Sequence, residues 1–143
     1  MKQGFTDDQV YDIELELTGV CNLRCPLCAN CMCDAEHLKR KNIRPLAEWK
    51  SQLDKYPNVK SVCLAGIFSE PTMYPELFEL LDYLVQRSIS FELYTNGDLY
   101  DDSWWSELGY HTTVNDKVVF TICGSTQELH ERYRVGSKLD RSI

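Results

Sequence analysis

The sequence predicts an α/β fold built on a parallel sheet of doubly wound or barrel type, and three observations predict it. Strand-like and helix-like segments alternate four times along the chain, and parallel strands need helical crossovers of that kind to join them. Each strand-like segment ends at a polar or unusual residue, Cys21, Glu70, Asn96 and the Thr121 and Cys123 pair, at the edge where sites form in such sheets. A chain of 143 residues that is 43% hydrophobic and 11% aromatic can bury one core. Residues 1–143 therefore read as a single domain, with no internal repeat, low-complexity tract or linker.

From Tyr11 to Thr18 the pattern alternates strictly, with Ile13, Leu15 and Leu17 on one face and Asp12, Glu14 and Glu16 on the other, the mark of a strand with one wet face. A cysteine-rich stretch and a basic segment, His37 to Lys41, follow as loop. Ile43, Leu46, Trp49 and Leu53 then recur at helical spacing, with Pro45 near the start and Pro57 beyond the end. Val59 to Ala65 is a short, mostly apolar run ending at Gly66, as expected of a buried strand. Leu77, Phe78, Leu81, Leu84 and Val85 form the apolar stripe of the next helix, with Pro75 at its first turn. Ser90 to Thr95 reads as strand, and Asn96-Gly97 as a turn. A short helix from about Ser103 to Leu108 is expected to close at Gly109. Lys117 to Cys123 is the most β-prone segment, Ser125-x-x-Glu128 has the form of a capping box opening a last helix, and Gly136 stands where that helix would end.

The formal net charge is −7, from 15 basic and 22 acidic residues, which offers no positive field to phosphate backbones or anionic lipid. Nucleic-acid and membrane-surface roles are disfavoured. The first ten residues lack the apolar centre of a signal peptide, and no apolar run reaches the ~18 residues of a membrane span. A cytoplasmic protein is expected.

Seven cysteines are many for this length, and five of them, Cys21, Cys25, Cys28, Cys31 and Cys33, fall within thirteen residues. That is too close for loop-closing disulfides and well suited to gathering thiolates around metal. Cys63 lies in an apolar strand and reads as core packing. The strongest signal is Cys21-Asn22-Leu23-Arg24-Cys25-Pro26-Leu27-Cys28, a Cys-x3-Cys-x2-Cys loop. Three thiolates can hold three corners of an iron–sulfur cubane, leaving the fourth iron free for a ligand other than protein. The competing reading is a zinc site, in which Cys25 and Cys28 with Cys31 or Cys33 supply four sulfurs. The roles of Cys31 and Cys33 stay open.

This loop, placed after a first strand, resembles that of the radical S-adenosylmethionine (radical SAM) superfamily. The resemblance implies a 4Fe-4S cluster on Cys21, Cys25 and Cys28 whose open iron is chelated by SAM. An external electron donor would reduce the cluster, and homolysis would yield a 5′-deoxyadenosyl radical that abstracts hydrogen from substrate. Ala65-Gly66-Ile67-Phe68-Ser69-Glu70-Pro71 is similar to the superfamily's Gly-rich, Glu-Pro segment, which implies that the backbone and Glu70 meet the SAM amino group. An ammonium needs acceptors, and glycine lets backbone approach closely. Ser69 stands where a second glycine is common. Tyr94-Thr95-Asn96-Gly97 matches a Thr-Asn-Gly segment, and Trp104-Trp105-x-x-Leu108 is also similar to members. Phe120-Thr121-Ile122-Cys123-Gly124 and His130-Glu131-Arg132-Tyr133-Arg134 resemble the Ser-x-Asp-Gly and His-Asp-x-x-Arg segments of the peptide-modifying branch. By that likeness Thr121 and Arg134 bind the SAM carboxylate, the latter as a charge-assisted pair, and Leu27 packs on the adenine. Cys123 replaces the usual acid.

The resemblance makes the fold a partial (β/α) barrel of about four β/α units, incomplete at the C-terminal side where two further units would carry adenine and ribose contacts. Alternation places Thr121 and Cys123 on one face of the last strand. That strand would leave Val118, Val119 and Phe120 unpaired, open to a second chain or a dimer that completes the barrel. The implied activity is that of a radical SAM enzyme, or its N-terminal portion, acting on a peptide or other small molecule. A zinc-stabilised binding module and an inactive truncated remnant are the alternatives.

Overall fold

The computed structural model describes residues 6–32 and 43–142. Cys33 and the basic segment His37 to Lys41 lie outside the described residues. Four strands form one sheet in the order β1 (Asp12–Leu15), β2 (Ser61–Leu64), β3 (Ser90–Thr95) and β4 (Lys117–Phe120), every neighbouring pair parallel. The helices are α1 (Ala29–Met32), α2 (Leu46–Leu53), α3 (Leu77–Gln86), α4 (Asp102–Tyr110) and α5 (Gln127–Tyr133). Consecutive strand order contains no reversal, so the sheet is wound in one direction as in a barrel, and the doubly wound alternative falls away.

Alternation decides which face of the sheet is buried. Leu15, Val62, Leu64, Phe91 and Leu93 point to the helix side and are 0–6% exposed, as are Leu53, Leu77, Leu80, Leu81, Leu84 and Leu108 facing them. Each such side chain gains about 1.5–3 kcal/mol from burial. The opposite face carries Asp12, Glu14, Cys63, Glu92, Tyr94 and Lys117. In register across it run Glu14, Cys63, Glu92 and Lys117, and Glu92 accepts from both Lys117 Nζ (2.5 Å) and Tyr94 Oη (3.0 Å). Cys63 therefore does not pack in the core as its apolar strand suggested. Its neighbours Val62 and Leu64 do, and period-2 geometry turns Cys63 the other way.

Several element boundaries differ from expectation. The buried stripe of α3 includes Leu80 in place of Phe78 and Val85, because Phe78 turns sideways to stack against Trp104 and His111 (centroids 5.2 and 4.7 Å). Helix α4 runs through Gly109, where a Cβ would meet nothing, so that glycine is a solvent-facing interior position and no stop. Asp101 caps its start, accepting from the amides of Ser103 (3.1 Å) and Trp104 (3.2 Å). Strand β4 ends at Phe120, and Thr121 only continues the ladder through its amide to Thr95 O (2.9 Å). Thr126 caps α5 in place of Ser125, accepting from Leu129 N (3.3 Å), and the helix stops at Tyr133, before Gly136. Among the described residues no helix is long and apolar enough to cross a membrane.

Candidate active site at the C-terminal strand ends

The four strands share one direction, so the segments that follow them meet at one edge. The cluster loop follows β1, Glu70 follows β2, Asn96 follows β3, and Thr121 and Cys123 follow β4. Hydrogen bonds tie them together. Asn96 Nδ2 donates to Asn22 Oδ1 (2.9 Å) and points at Cys21 Sγ (4.0 Å). Thr121 Oγ1 donates to Thr95 O (2.9 Å), and Arg134 Nη2 donates to Thr121 Oγ1 (2.5 Å). Arg134 Nε donates to Cys123 Sγ (3.2 Å), so Thr121 and Cys123 do face the same way. The cluster loop itself docks on the end of α5 through Arg24 N to Val135 O (3.1 Å).

Cys21, Cys25 and Cys28 are half-buried and carry free thiols. Burial raises the Cys21 thiol most, and the charges of Glu70, Cys25 and Cys28 raise it further. Burial also raises Cys25, opposed by the Arg134 guanidinium and reinforced by Cys28, Cys31 and Cys123. Among the described residues no three His, Cys, Asp or Glu side chains converge tightly enough to hold a single ion. The donor set, three soft thiols on one loop with an Arg beside it, fits an iron–sulfur cluster.

Glu70 is 3% exposed and both oxygens of its carboxylate accept hydrogen bonds. One oxygen accepts from Thr95 Oγ1 (2.6 Å), Thr72 Oγ1 (2.9 Å) and Thr72 N (3.3 Å), the other from Asn96 N (2.9 Å). Three donors crowd Oε1, while Oε2 takes one and keeps a lone pair open. Gly66 is needed by the chain itself, since a Cβ there would drive into the carbonyl of Ser69. Ser69 Oγ donates to Glu16 Oε1 (3.4 Å), which also accepts from Phe68 N (2.6 Å). Cys28 Sγ reaches Ile67 O on the same loop (3.6 Å). Leu27 stands 79% exposed at the tip of the cluster loop.

Sequence reasoning assigned no individual role to Glu16, Asn22, Thr72 or His130. His130 is fully buried and its Nδ1 accepts from Cys123 N (3.2 Å), which holds the chain after β4 against α5 one turn before Arg134. Glu16 stood on the wet face of the first strand and Asn22 inside the cluster loop, but nothing in their spacing marks a partner 52 or 74 residues away. A separate groove beside α4, walled by Tyr100, Trp104, Trp105 and Phe120, includes none of the cysteines.

The family described as the Radical SAM superfamily matches residues 15–143. A curated relative from Pyrococcus furiosus, the tungsten-containing aldehyde ferredoxin oxidoreductase cofactor-modifying protein, is 29% identical over 94 residues, covering 66% of this chain and 26% of its own. Streptococcus suis SuiB bound to S-adenosylmethionine superposes with a TM-score of 0.75 at 21% identity, over 94% of this chain and 30% of that one. SuiB bound to the precursor peptide SuiA gives 0.72 at 22% identity, over 94% and 29%. BtrN in complex with AdoMet and 2-DOIA gives 0.61 at 20% identity, over 78% and 46%. The chain thus spans about a quarter of the curated relative and under half of each of these structures.

Proposed function

Because this chain belongs to the radical SAM superfamily, we propose that it is a radical SAM enzyme, or the N-terminal portion of one, that binds a 4Fe-4S cluster and SAM and acts on a peptide substrate. When bound, the pair supplies one-electron cleavage of SAM and hydrogen abstraction from substrate, with the electron coming from an external donor. Cys21, Cys25 and Cys28 would hold the cluster.

The observation that carries the reading is Arg134. Its Nη2 donates to Thr121 Oγ1 and its Nε to Cys123 Sγ, and its positive charge opposes the burial that raises the Cys25 thiol. The remaining N–H groups of its five-donor fork are left for a carboxylate beside the cluster loop. Gly66 and Ser69 on the β2 loop would supply backbone acceptors to an ammonium, and Leu27 would offer an apolar surface to a flat ring. Asn96 and Glu70 complete the floor. SuiB, of the same fold, is known bound to a precursor peptide, which supports a peptide as the substrate class. The edge of β4, where Phe120 is 39% exposed, would take a further strand from a second chain or from a longer form of this one. The chain would work in the cytoplasm, without nucleic acid or membrane.

The test is anaerobic purification with iron and sulfide reconstitution. The expected result is a cluster that is lost in Cys25→Ala and whose reduced spectrum changes on adding SAM. Tight zinc with no iron would end the proposal in favour of a zinc-stabilised module.

A further inference from the structure

Asn96 is 2% exposed, and its orientation is fixed from three sides. Its amide N–H donates to Glu70 Oε2 (2.9 Å), its carbonyl oxygen accepts from Ser142 Oγ (3.1 Å), and its side-chain Oδ1 accepts from Asp98 N (2.9 Å). The last bond decides which end of the carboxamide is which. With Oδ1 committed to Asp98, the NH2 must face the cluster loop. The carboxamide nitrogen donates to Asn22 Oδ1 (2.9 Å) and lies 4.0 Å from Cys21 Sγ, with a second hydrogen to offer. Leu23 N donates to the same sulfur at 3.5 Å. Hydrogen bonds to cysteine sulfur withdraw charge from an iron–sulfur cluster and help set its potential.

We propose that Asn96 is a positioning residue that acts through Cys21 on the cluster, anchored by the buried Glu70 carboxylate. It clamps the start of the cluster loop through Asn22 and supplies a side-chain N–H to the first ligand sulfur, making the bound cluster easier to reduce. Glu70, held by hydrogen bonds from Thr72, Thr95 and Asn96, serves as the fixed end of this strut. Outer-shell donors of this kind orient ligands and tune the metal they hold. The inference rests on the proposed cluster site.

The experiment compares the reconstituted full chain with Asn96→Leu and Asn96→Ser by potentiometric titration of the cluster, followed by its reduced-state EPR signal. Asn96→Leu preserves volume and removes the donor. Asn96→Ser retains an oxygen for Asp98 N–H but is too short to reach the loop, so it carries the test if the Leu variant misfolds. Both variants should shift the potential to more negative values and lose iron to a chelator several-fold faster. Asn22→Ala, which frees the carboxamide to bond sulfur alone, should show no such negative shift. A wild-type cluster whose potential is unmoved in both Asn96 variants overturns this inference alone. A wild-type chain that takes up no cluster overturns the functional proposal, and this inference with it.

Discussion

Arg134 Nη2 lies 2.5 Å from Thr121 Oγ1, and the same guanidinium reaches Cys123 Sγ at 3.2 Å. One side chain at the end of α5 thus organises the segment that follows β4, on the side of the cysteine loop. If its remaining donors hold a carboxylate, Arg134→Met should weaken SAM binding by about 10- to 100-fold, since hydrogen bonds to charged groups are worth about 1.5–3 kcal/mol. Cluster content should stay at the wild-type level. Equilibrium titration of SAM into the reconstituted chain measures the first quantity and iron analysis the second; unchanged affinity would remove Arg134 from the site.

His111 Nδ1 stands 2.6 Å from Asp82 Oδ1, joining the end of α4 to α3 while the ring stacks on Phe78. The Asp82 carboxylate is the main reason its pKa is raised, with Glu107 adding and partial burial opposing. A raised folded-state pKa means that protonation favours the folded form. The contribution is therefore complete below the unfolded value of about 6.5 and disappears as pH rises through the higher folded value. His111→Phe keeps the stacking and cannot charge. Urea midpoints of the two proteins should differ most near pH 6 and converge toward pH 9; a constant gap would refute the assignment.

Leu64 and Cys63 are adjacent in β2 and face opposite sides of the sheet. Leu64→Ala should cost about 2–5 kcal/mol because it opens a cavity in a core position that is 0% exposed. Cys63→Ala should cost under about 1 kcal/mol and leave any cluster intact. Chemical denaturation of both variants checks the ordering, and a large loss in Cys63→Ala would place it back in the core.

Gly97 follows Asn96 with φ +74°, and a Cβ there would stand 2.7 Å from Phe120 Cδ1. Gly97→Ala should destabilise by at least about 1–2 kcal/mol from the left-handed backbone alone. The turn it forms carries Asn96, so cluster retention should fall as well. Thermal unfolding and iron content in parallel test both halves of this expectation.

Much of the frame was readable in advance because it is local. Ser90 to Thr95 alternates and carries β-formers, and it is a strand over the predicted residues. Ile13, Leu15 and Leu17 turned inward as their spacing required. Readings that failed were those in which a local signal had a tertiary competitor. Gly109 resembled a helix stop, but α4 continues through it to Tyr110. Phe78 fitted the helical stripe, but aromatic neighbours on α4 drew it aside. Cys63 sat in an apolar run, and only the register between Glu14 and Glu92 reveals that it faces charge.

By itself, the sequence determined the α/β alternation, the loop that gathers the thiols and the set of polar residues at the strand ends. Those depend on periodicity and on neighbours a few residues apart. Tertiary structure decided the winding of the sheet, the hydrogen bonds that hold both oxygens of Glu70, and the placing of Asn96 beside Asn22 and Cys21 across more than 70 residues. A hydrogen bond requires two groups within about 3 Å, and such proximity between distant segments exists only after parallel strands have brought their ends to one edge.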